Sequence, residues 1–190
     1  MAKTGAKYIL WAPFKTPDDT SKAPVYDTAV SLSELAAANW TPTLASGEQY
    51  GDNARVESTS MVTGGTLALE VTDLPTEVRG KIYGETHDEE NESWLAGSSD
   101  VGPFGGVTYY KTGTRNSIPY FECYFYPKAN AAPAADSATT ANSAITYTND
   151  TISLSVSPRL NDSVYREVSD RFSSEEEARA WCNAKLGKLS

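Results

Sequence analysis

The 190-residue sequence has few cysteines, histidines and basic residues, and each shortage argues against a class of protein. Its two cysteines, Cys123 and Cys182, are too few for a disulfide framework and lack the paired spacing of a zinc site. The single histidine, His87, leaves little material for nucleophile–base catalysis. Lys plus Arg number 16 against 25 Asp plus Glu, and a net charge of −9 argues against binding to nucleic-acid phosphates.

Long apolar runs are also missing. The longest near the start, Tyr8 to Phe14, is too short for a signal peptide, and no later run has the length of a membrane span. The sequence therefore predicts one soluble domain over residues 1–190, without a membrane partner. The cysteine content predicts synthesis in a reducing cytoplasm.

The sequence does have apolar residues that alternate with polar ones, which is typical of half-buried strands. This pattern covers Thr66 to Thr72, after a predicted turn at Gly64-Gly65, and Thr151 to Ser157. Aromatic segments at Gly106 to Thr112 and Ile118 to Tyr126 flank turn residues and predict a β-hairpin. Further strands are predicted at Tyr8 to Ala12, Asp27 to Leu32, Ala54 to Met61 and Ser163 to Val168.

Two helices are predicted, each by a capping residue and a terminal glycine. Asp73 can cap a short helix that ends at Gly84. Ser173 and Glu176 have the spacing of a capping box for a second helix, which ends at Gly187. The segment from Leu32 to Asn39 is compatible with a helix or with an extended chain.

Three polar stretches are predicted to be long loops: Pro42 to Asn53, Glu85 to Gly105 and Lys128 to Ser143. Loops of this length are uncommon in a compact domain and are usually functional or mobile. One of them is strongly acidic, because the chain from Ile82 to Tyr110 contains six acidic residues and no Lys or Arg. This segment either faces another surface, negative or basic, or serves only as a solubilising loop.

No motif predicts a metal, a cofactor or a catalytic residue. The acidic residues Asp88, Glu89, Glu90 and Glu92 lack the regular spacing and the central glycine of a calcium-binding loop. The glycines from Gly102 to Gly106 lack the lysine and the following helix of a phosphate-binding loop.

Three stretches carry a resemblance: Tyr50 to Glu57, Thr63 to Leu74, and Ser174 to Trp181. Their sequences and their order resemble the major tail tube proteins of long-tailed bacteriophages with noncontractile tails, over nearly the whole chain. The resemblance implies a mainly β (α+β) fold, a two-sheet β-sandwich with one or two flanking helices and long loops.

The resemblance also implies a function without catalysis. Such a virion structural protein self-assembles into hexameric rings that stack into a tail tube, the conduit for DNA ejection into the host. Its partners are then copies of itself and other tail proteins such as the tape measure and terminator proteins, while DNA passes without specific binding. Its location is the virion tail, after synthesis in the host cytoplasm.

Two groups of candidate site residues follow from this resemblance. The candidate lumen-facing residues have small or acidic side chains on predicted strands: Thr66, Ala68, Glu70, Ser153 and Ser155. The candidate ring contacts lie in the predicted long loops: Tyr50, Asp52, Asn53, Asp88, Glu89, Glu90, Trp94 and Asp136. The main alternative is a carbohydrate-binding or adhesin-like β-sandwich module, in which exposed Trp40 and Trp94 would stack on sugars.

Overall fold

A computed structural model describes residues 2–51, 54–133 and 148–187, with the side chains of 4–48, 58–133 and 148–187. The fold is mainly β, with 56% strand, 12% helix, one large antiparallel sheet and a second small sheet. This confirms the predicted fold class.

The elements follow one another with short helices after the fifth and the last strand. Their bounds are β1 Ala2–Thr16, β2 Val25–Tyr26, β3 Val30–Ser31, β4 Leu35–Gly51, β5 Ala54–Val71, α1 Thr76–Tyr83, β6 Thr86–Asp88, β7 Ser93–Leu95, β8 Gly105–Arg115, β9 Ile118–Ala132, β10 Asp150–Val156, β11 Glu167–Phe172 and α2 Glu175–Leu186.

The large sheet folds over on itself at β9. Its strand order is β2-β1-β8-β9-β10-β5-β4, and β11 and β3 pair with β9 and β1 outside this path. The first part of β9 pairs with β11 and its last part with β10 along the same edge. Because β1 also contacts β4 from the far end of the order, β1-β8-β9-β11 and β9-β10-β5-β4 form two layers.

The main core lies between these layers. It is built from alternate residues of β1, β5, β8, β9 and β10, and its largest fully buried side chains include Trp11, Tyr109 and Tyr126. The side chains of β9 alternate between two faces: Tyr124 and Tyr126 point into this core, whereas Phe121, Cys123 and Phe125 pack on the opposite side. That opposite side is covered by α2 through Ala178, Cys182 and Leu186.

Both helices begin at a different residue from the predicted one. The capping box of α2 uses Ser174 and Glu177, one residue later than predicted, and Gly187 ends the helix in a left-handed conformation as predicted. In α1 the N-cap is Pro75, which has no capping side chain, and not Asp73; Gly84 ends the helix with φ 75°.

The predicted loop from Pro42 to Asn53 is wrong over its described part, which is the second half of β4. The preceding segment from Leu35 to Asn39 is extended and not helical, and Gly64-Gly65 lie within β5 and not in a turn. The predicted loop Glu85 to Gly105 contains the small hairpin β6-β7, and the predicted loop after Lys128 begins as strand up to Ala132.

Two further strand predictions differ from the observed boundaries. Only Val30–Ser31 of the segment from Asp27 to Leu32 is strand. The predicted strand at Ser163 to Val168 begins later, at Glu167, because the backbone at Ser163 has a positive φ of 58° and Arg159 and Val164 close a turn there.

Candidate functional site

The predicted lumen residues lie on two strands, β5 and β10, and share one face that is turned away from the main core. Ser153 pairs with Ala68, and Ser155 pairs with Thr66, across β10 and β5. Their sequence neighbours Leu67, Leu69, Ile152 and Leu154 are fully buried in the core. We call the outer side the polar face; it consists of Ala37, Asn39, Thr41, Thr66, Ala68, Glu70, Thr151, Ser153, Ser155, Asn130 and Ala132.

The polar face is built almost entirely from small uncharged side chains. Thr41, Thr66 and Ser155 are exposed, while Ala68, Glu70 and Ser153 are partly exposed. Glu70 is its only ionisable residue. The face lacks the aromatic and arginine side chains that usually anchor a tightly bound partner. It can therefore lie beside a negatively charged polymer without binding its phosphates.

The β4-β5 hairpin continues well beyond the sandwich. Pairing with β10 reaches only Gly65, whereas β4 and β5 remain paired from Thr43 and Gly64 out to Gly51 and Ala54. We call residues 42–51 and 54–64 the arm. No other described strand pairs with it. Because no further strand pairs with it, the arm receives little support from the rest of the described subunit. A two-stranded ribbon of this kind is at best marginally stable in water.

The arm carries apolar side chains on both of its faces. Leu44 lies opposite Val62, and Ala45 lies opposite Met61, so the two pairs point to opposite sides of the ribbon. Leu44 is 59% exposed and Met61 is 63% exposed. Large apolar groups at such positions favour contact with another surface, although exposed apolar side chains are common singly.

The arm's outer strand also has a free edge. Within the described chain, β4 pairs only with β5 along its whole length from Leu35 to Gly51. A long unpaired edge offers a row of backbone N–H and C=O groups to a strand of another molecule. The sequence did not reveal this edge, because the segment was predicted to be a loop.

The acidic segment forms a compact structure beside α1. In the β6-β7 turn, Asp88 Oδ1 accepts hydrogen bonds from the backbone N–H groups of Glu90 and Asn91 at 3.0 and 3.2 Å. The side-chain hydrogen bond from Asn91, with these backbone bonds, lowers the pKa of Asp88. Glu89 and Glu90 are exposed. The turn therefore presents negative charge to solvent in a fixed arrangement.

Trp94 and Trp40 are packed against the protein, in contrast to the exposed rings that the carbohydrate-binding alternative requires. A Cβ added at Gly80 of α1 would lie only 2.1 Å from Cε3 of Trp94, so this ring lies directly over the helix backbone. Trp40 stacks on Tyr165, with ring centroids 5.8 Å apart, and packs on the main core. Both side chains are only partly exposed, and the expectation that they form open stacking platforms is wrong.

One charged pair is buried at the end of the sandwich from which the arm departs. Lys128 Nζ donates to Asp18 Oδ1 at 2.8 Å, and the backbone N–H of Leu160 donates to Asp18 Oδ2 at 2.8 Å. Burial acts to raise the pKa of Asp18, but the hydrogen bonds and the charge of Lys128 outweigh it and lower the pKa. No local sequence pattern predicts this pair, because its members are far apart in the chain.

A groove of about 650 Å³ lies between β1, the start of β4 and α2. Its walls include Tyr8, Tyr110 and Arg179; the rings of Tyr8 and Tyr110 stack at 6.1 Å. Arg179 lies 4.7 Å from the Tyr8 ring and pairs with Glu175 at 2.8 Å. The aromatic and arginine side chains of this wall therefore contact one another or Glu175.

The remaining predicted contact residues are not gathered into one place. Tyr50 lies in the arm, where it pairs with Arg55, whereas Asp88, Glu89, Glu90 and Trp94 lie in the separate β6-β7 hairpin. Asp52, Asn53 and Asp136 lie outside the described residues. The arm and the β6-β7 hairpin are therefore two distinct candidate contacts.

No group of three His, Cys, Asp or Glu side chains in the described part of the chain is placed to hold a metal ion. Among the described residues, neither helix has the length and apolar character needed to cross a membrane. Comparison with known family models and with curated proteins found no match for this chain.

Proposed function

We propose that the protein is a structural subunit that assembles with copies of itself into stacked rings, forming the tail tube of a bacteriophage with the polar face lining the DNA channel. The observation that carries this proposal is the polar face itself. It joins four strands into a continuous surface of Thr, Ser, Asn and Ala side chains with one carboxylate.

A DNA channel needs such a surface. Basic side chains would hold the phosphates, whereas small polar side chains let water and counterions separate the wall from the duplex. In the proposed ring, α2 lies on the outside, because it covers the opposite side of the sandwich through Ala178, Cys182 and Leu186. This arrangement places the layer β9-β10-β5-β4 around the bore.

The free edge of β4 and the arm supply the contacts between copies. Closing a ring of subunits removes sheet edges that a single subunit leaves open. The arm extends past the sandwich and carries Leu44 and Met61, which a neighbouring copy would bury. We assign the arm to contacts between subunits, and the proposal of hexameric rings rests on the resemblance described above.

The acidic β6-β7 hairpin and the turn between β8 and β9 lie near opposite ends of β9. Gly102, near the end of the acidic segment, approaches the backbone of Ala131 near the end of β9, whereas exposed Arg115 lies just before the first residue of β9, Ile118. Head-to-tail stacking of rings could bring these ends of successive subunits together. Assembly is then expected to weaken as salt concentration rises.

The first test is the assembly state of the full chain. Negative-stain electron microscopy and mass photometry over a range of protein concentrations are expected to show rings and tubes. The variant Leu44→Asp, Met61→Asp is expected to remain folded by circular dichroism and to stay monomeric, because two new charges would oppose burial of the arm. A wild-type chain that stays monomeric at every concentration would contradict the proposal.

The second test asks which face lines the bore. In Ser153→Lys each subunit adds a cation to the polar face; the control Ala180→Lys adds it to the exposed side of α2. Tubes of each variant are mixed with a short labelled duplex and treated with nuclease. Ser153→Lys tubes are expected to protect the duplex at low salt, while Ala180→Lys tubes leave it accessible. The reverse pattern would place the polar face on the outside.

Glycan-binding assays on the same purified protein test the carbohydrate-binding alternative. Glycan binding by the monomer, lost on Trp94→Ala with the fold intact, would favour it. The packing of Trp94 over Gly80 argues against this result, because removal of the ring would instead loosen the contact between the β6-β7 hairpin and α1.

A further inference from the structure

The two cysteines of the chain meet in the layer between β9 and α2. Cys123 and Cys182 are both fully buried, and they pack in one cluster with Tyr110 and Ala178. Cys123 Sγ lies 3.5 Å from the backbone oxygen of Ala178, which is one helical turn before Cys182. Both thiols are free, and each lies close enough to the other to shift its pKa.

We propose that Cys123 and Cys182 form a redox-sensitive pair, which a small disulfide such as glutathione disulfide converts into an intramolecular disulfide that fixes α2 to the sheet. The proposal is independent of the proposed function. It rests on the meeting of two distant sequence positions at one point beneath the last helix, and on the way the two thiols differ.

The two thiols are not equivalent. The hydrogen bond from Cys182, together with the hydroxyl of Ser169, lowers the pKa of Cys123, while the hydrogen bond with Cys123 and burial raise the pKa of Cys182. A thiolate is the attacking species in disulfide exchange. Cys123 is therefore the first nucleophile, and Cys182 is the thiol that resolves the intermediate.

The strand that lies beside Cys123 in the sheet is also the one best suited to open. Here β11 is a six-residue edge strand that pairs with β9 alone among the described strands. Its register is irregular between Val168 and Arg171, beside Cys123, whose N–H donates to Ser169 Oγ at 2.9 Å. Short, irregular edge strands open locally at lower free-energy cost than a central strand, and such opening admits the oxidant.

The exchange is balanced in atoms and electrons. The Cys123 thiolate attacks one sulfur of glutathione disulfide, whose S–S bond breaks to release one glutathione thiolate. Cys182 then gives up its proton and attacks the Cys123 sulfur, forming the protein disulfide and releasing the second glutathione thiolate. Two electrons pass from the cysteine pair to the oxidant, and the protons end on the glutathione thiols or in the buffer.

The bond would act on the end of the chain. It would close a loop that holds β10, β11 and most of α2, and so reduce the conformational freedom of the unfolded chain. In a reducing cytoplasm the pair would remain as thiols, whereas the same protein in an oxidising medium would become cross-linked.

The test uses the purified full chain under native conditions, incubated with glutathione disulfide and, in parallel, with reduced glutathione. Free thiols are blocked with iodoacetamide, and the protein is analysed by intact mass and peptide mapping. The expected product has lost about 2 Da and yields one cross-linked peptide pair containing Cys123 and Cys182. Its thermal midpoint is expected to exceed that of the reduced protein and to return after treatment with dithiothreitol.

Two variants test the order of events. Cys182→Ser is expected to stop at a glutathione adduct of about 305 Da on Cys123, whereas Cys123→Ser is expected to remain unmodified. Cys182→Ala replaces the first variant if a buried hydroxyl prevents folding. Adduct formation on Cys182 alone would overturn the assigned roles.

The wild-type measurement decides the proposal without any variant. The proposal is overturned if the native chain keeps both thiols while the denatured chain oxidises. It is equally overturned if the products are a stable glutathione adduct or a disulfide-linked dimer.

Discussion

The sandwich and the arm are built from the same two strands, yet they are stabilised in different ways. In the sandwich, Leu67 and Leu69 of β5 are fully buried beneath β1, β8 and β9. In the arm, the continuation of β5 and its partner β4 has Leu44 and Met61 largely exposed. The backbone ladder is continuous through both regions, so the difference lies in what covers the side chains.

Hydrogen-bonded pairing alone therefore does not explain the arm. Ladder hydrogen bonds replace bonds to water and contribute modestly, while burial of apolar surface supplies most of the stability of a strand pair. The sandwich obtains that burial within one subunit. The arm can obtain it only from another surface, which is the physical basis for assigning it to subunit contacts.

We expect leucine-to-alanine substitutions to differ most in their effect on monomer stability when one lies in the sandwich and the other in the arm. Leu69→Ala removes a fully buried side chain and is expected to lower the free energy of unfolding by about 4 kcal/mol. Leu44→Ala removes an exposed side chain and is expected to change that free energy by less than about 0.5 kcal/mol. Urea denaturation of the dilute monomer measures both values.

For tube formation, we expect Leu44→Ala to have the larger specific effect, although it has the smaller effect on monomer stability. Leu44→Ala is expected to raise the concentration needed for tube formation, because the proposed contact loses apolar area while the monomer keeps its stability. If Leu44→Ala destabilises the dilute monomer as strongly as Leu69→Ala, the arm is supported by its own subunit and the comparison fails.

This comparison also explains why the sequence predicted the sandwich strands but missed the β4 half of the arm, although it predicted a strand at Ala54 to Met61 in the other half. Alternation appears where one side of a strand is buried and the other is not, as in Thr151 to Ser157. Residues 41–48 are exposed on both sides, so nothing in the subunit selects for alternation there. The polar, irregular sequence was therefore predicted to be a loop although its backbone is paired.

Other features of the structure depend on information that a local sequence pattern does not contain. Ser173 and Ser174 precede three consecutive glutamates, so two registers of the capping box have the same composition, and only the structure distinguishes them. The position of Trp94 depends on Gly80, whose missing side chain leaves room for the ring. The Asp18–Lys128 pair joins residues 110 positions apart, a separation at which local patterns carry no information.

The next expected effect concerns that buried pair, at the boundary between sandwich and arm. Asp18→Asn leaves the ammonium of Lys128 without its carboxylate and is expected to lower the free energy of unfolding by about 3 kcal/mol. The control Glu77→Gln breaks the exposed pair with Lys81 on α1 and is expected to leave the denaturation midpoint unchanged. Equal effects of the two variants would contradict the buried role of Asp18.

The pH dependence of unfolding tests whether the interaction of Asp18 with Lys128 stabilises the folded protein. Because the pKa of Asp18 is lower in the folded state, its contribution is complete above the unfolded-state pKa of about 4 and is lost as pH falls through the folded-state pKa. Thermal unfolding between pH 7 and pH 2 should therefore show an acid loss of stability in the wild type that is smaller in Asp18→Asn. A parallel pair of curves would argue against the assignment.

The smallest expected effect compares two glycines of the β4-β5 hairpin. A Cβ at Gly65 would lie 2.4 Å from the backbone oxygen of Thr41 and 2.5 Å from the Trp40 ring, whereas a Cβ at Gly47 meets nothing within 4 Å. Gly65→Ala is expected to destabilise the monomer by about 2 kcal/mol, because the rigid backbone oxygen cannot move aside without disturbing the ladder.

Gly47→Ala is expected to leave stability unchanged or raise it by about 0.5 kcal/mol, through a less flexible unfolded chain. Urea denaturation of the two variants at a concentration below assembly separates the outcomes. A large loss at Gly47 would mean that the middle of the arm is already packed against its own subunit. A negligible loss at Gly65 would mean that the arm and sandwich are joined more loosely than the close contact with Trp40 requires.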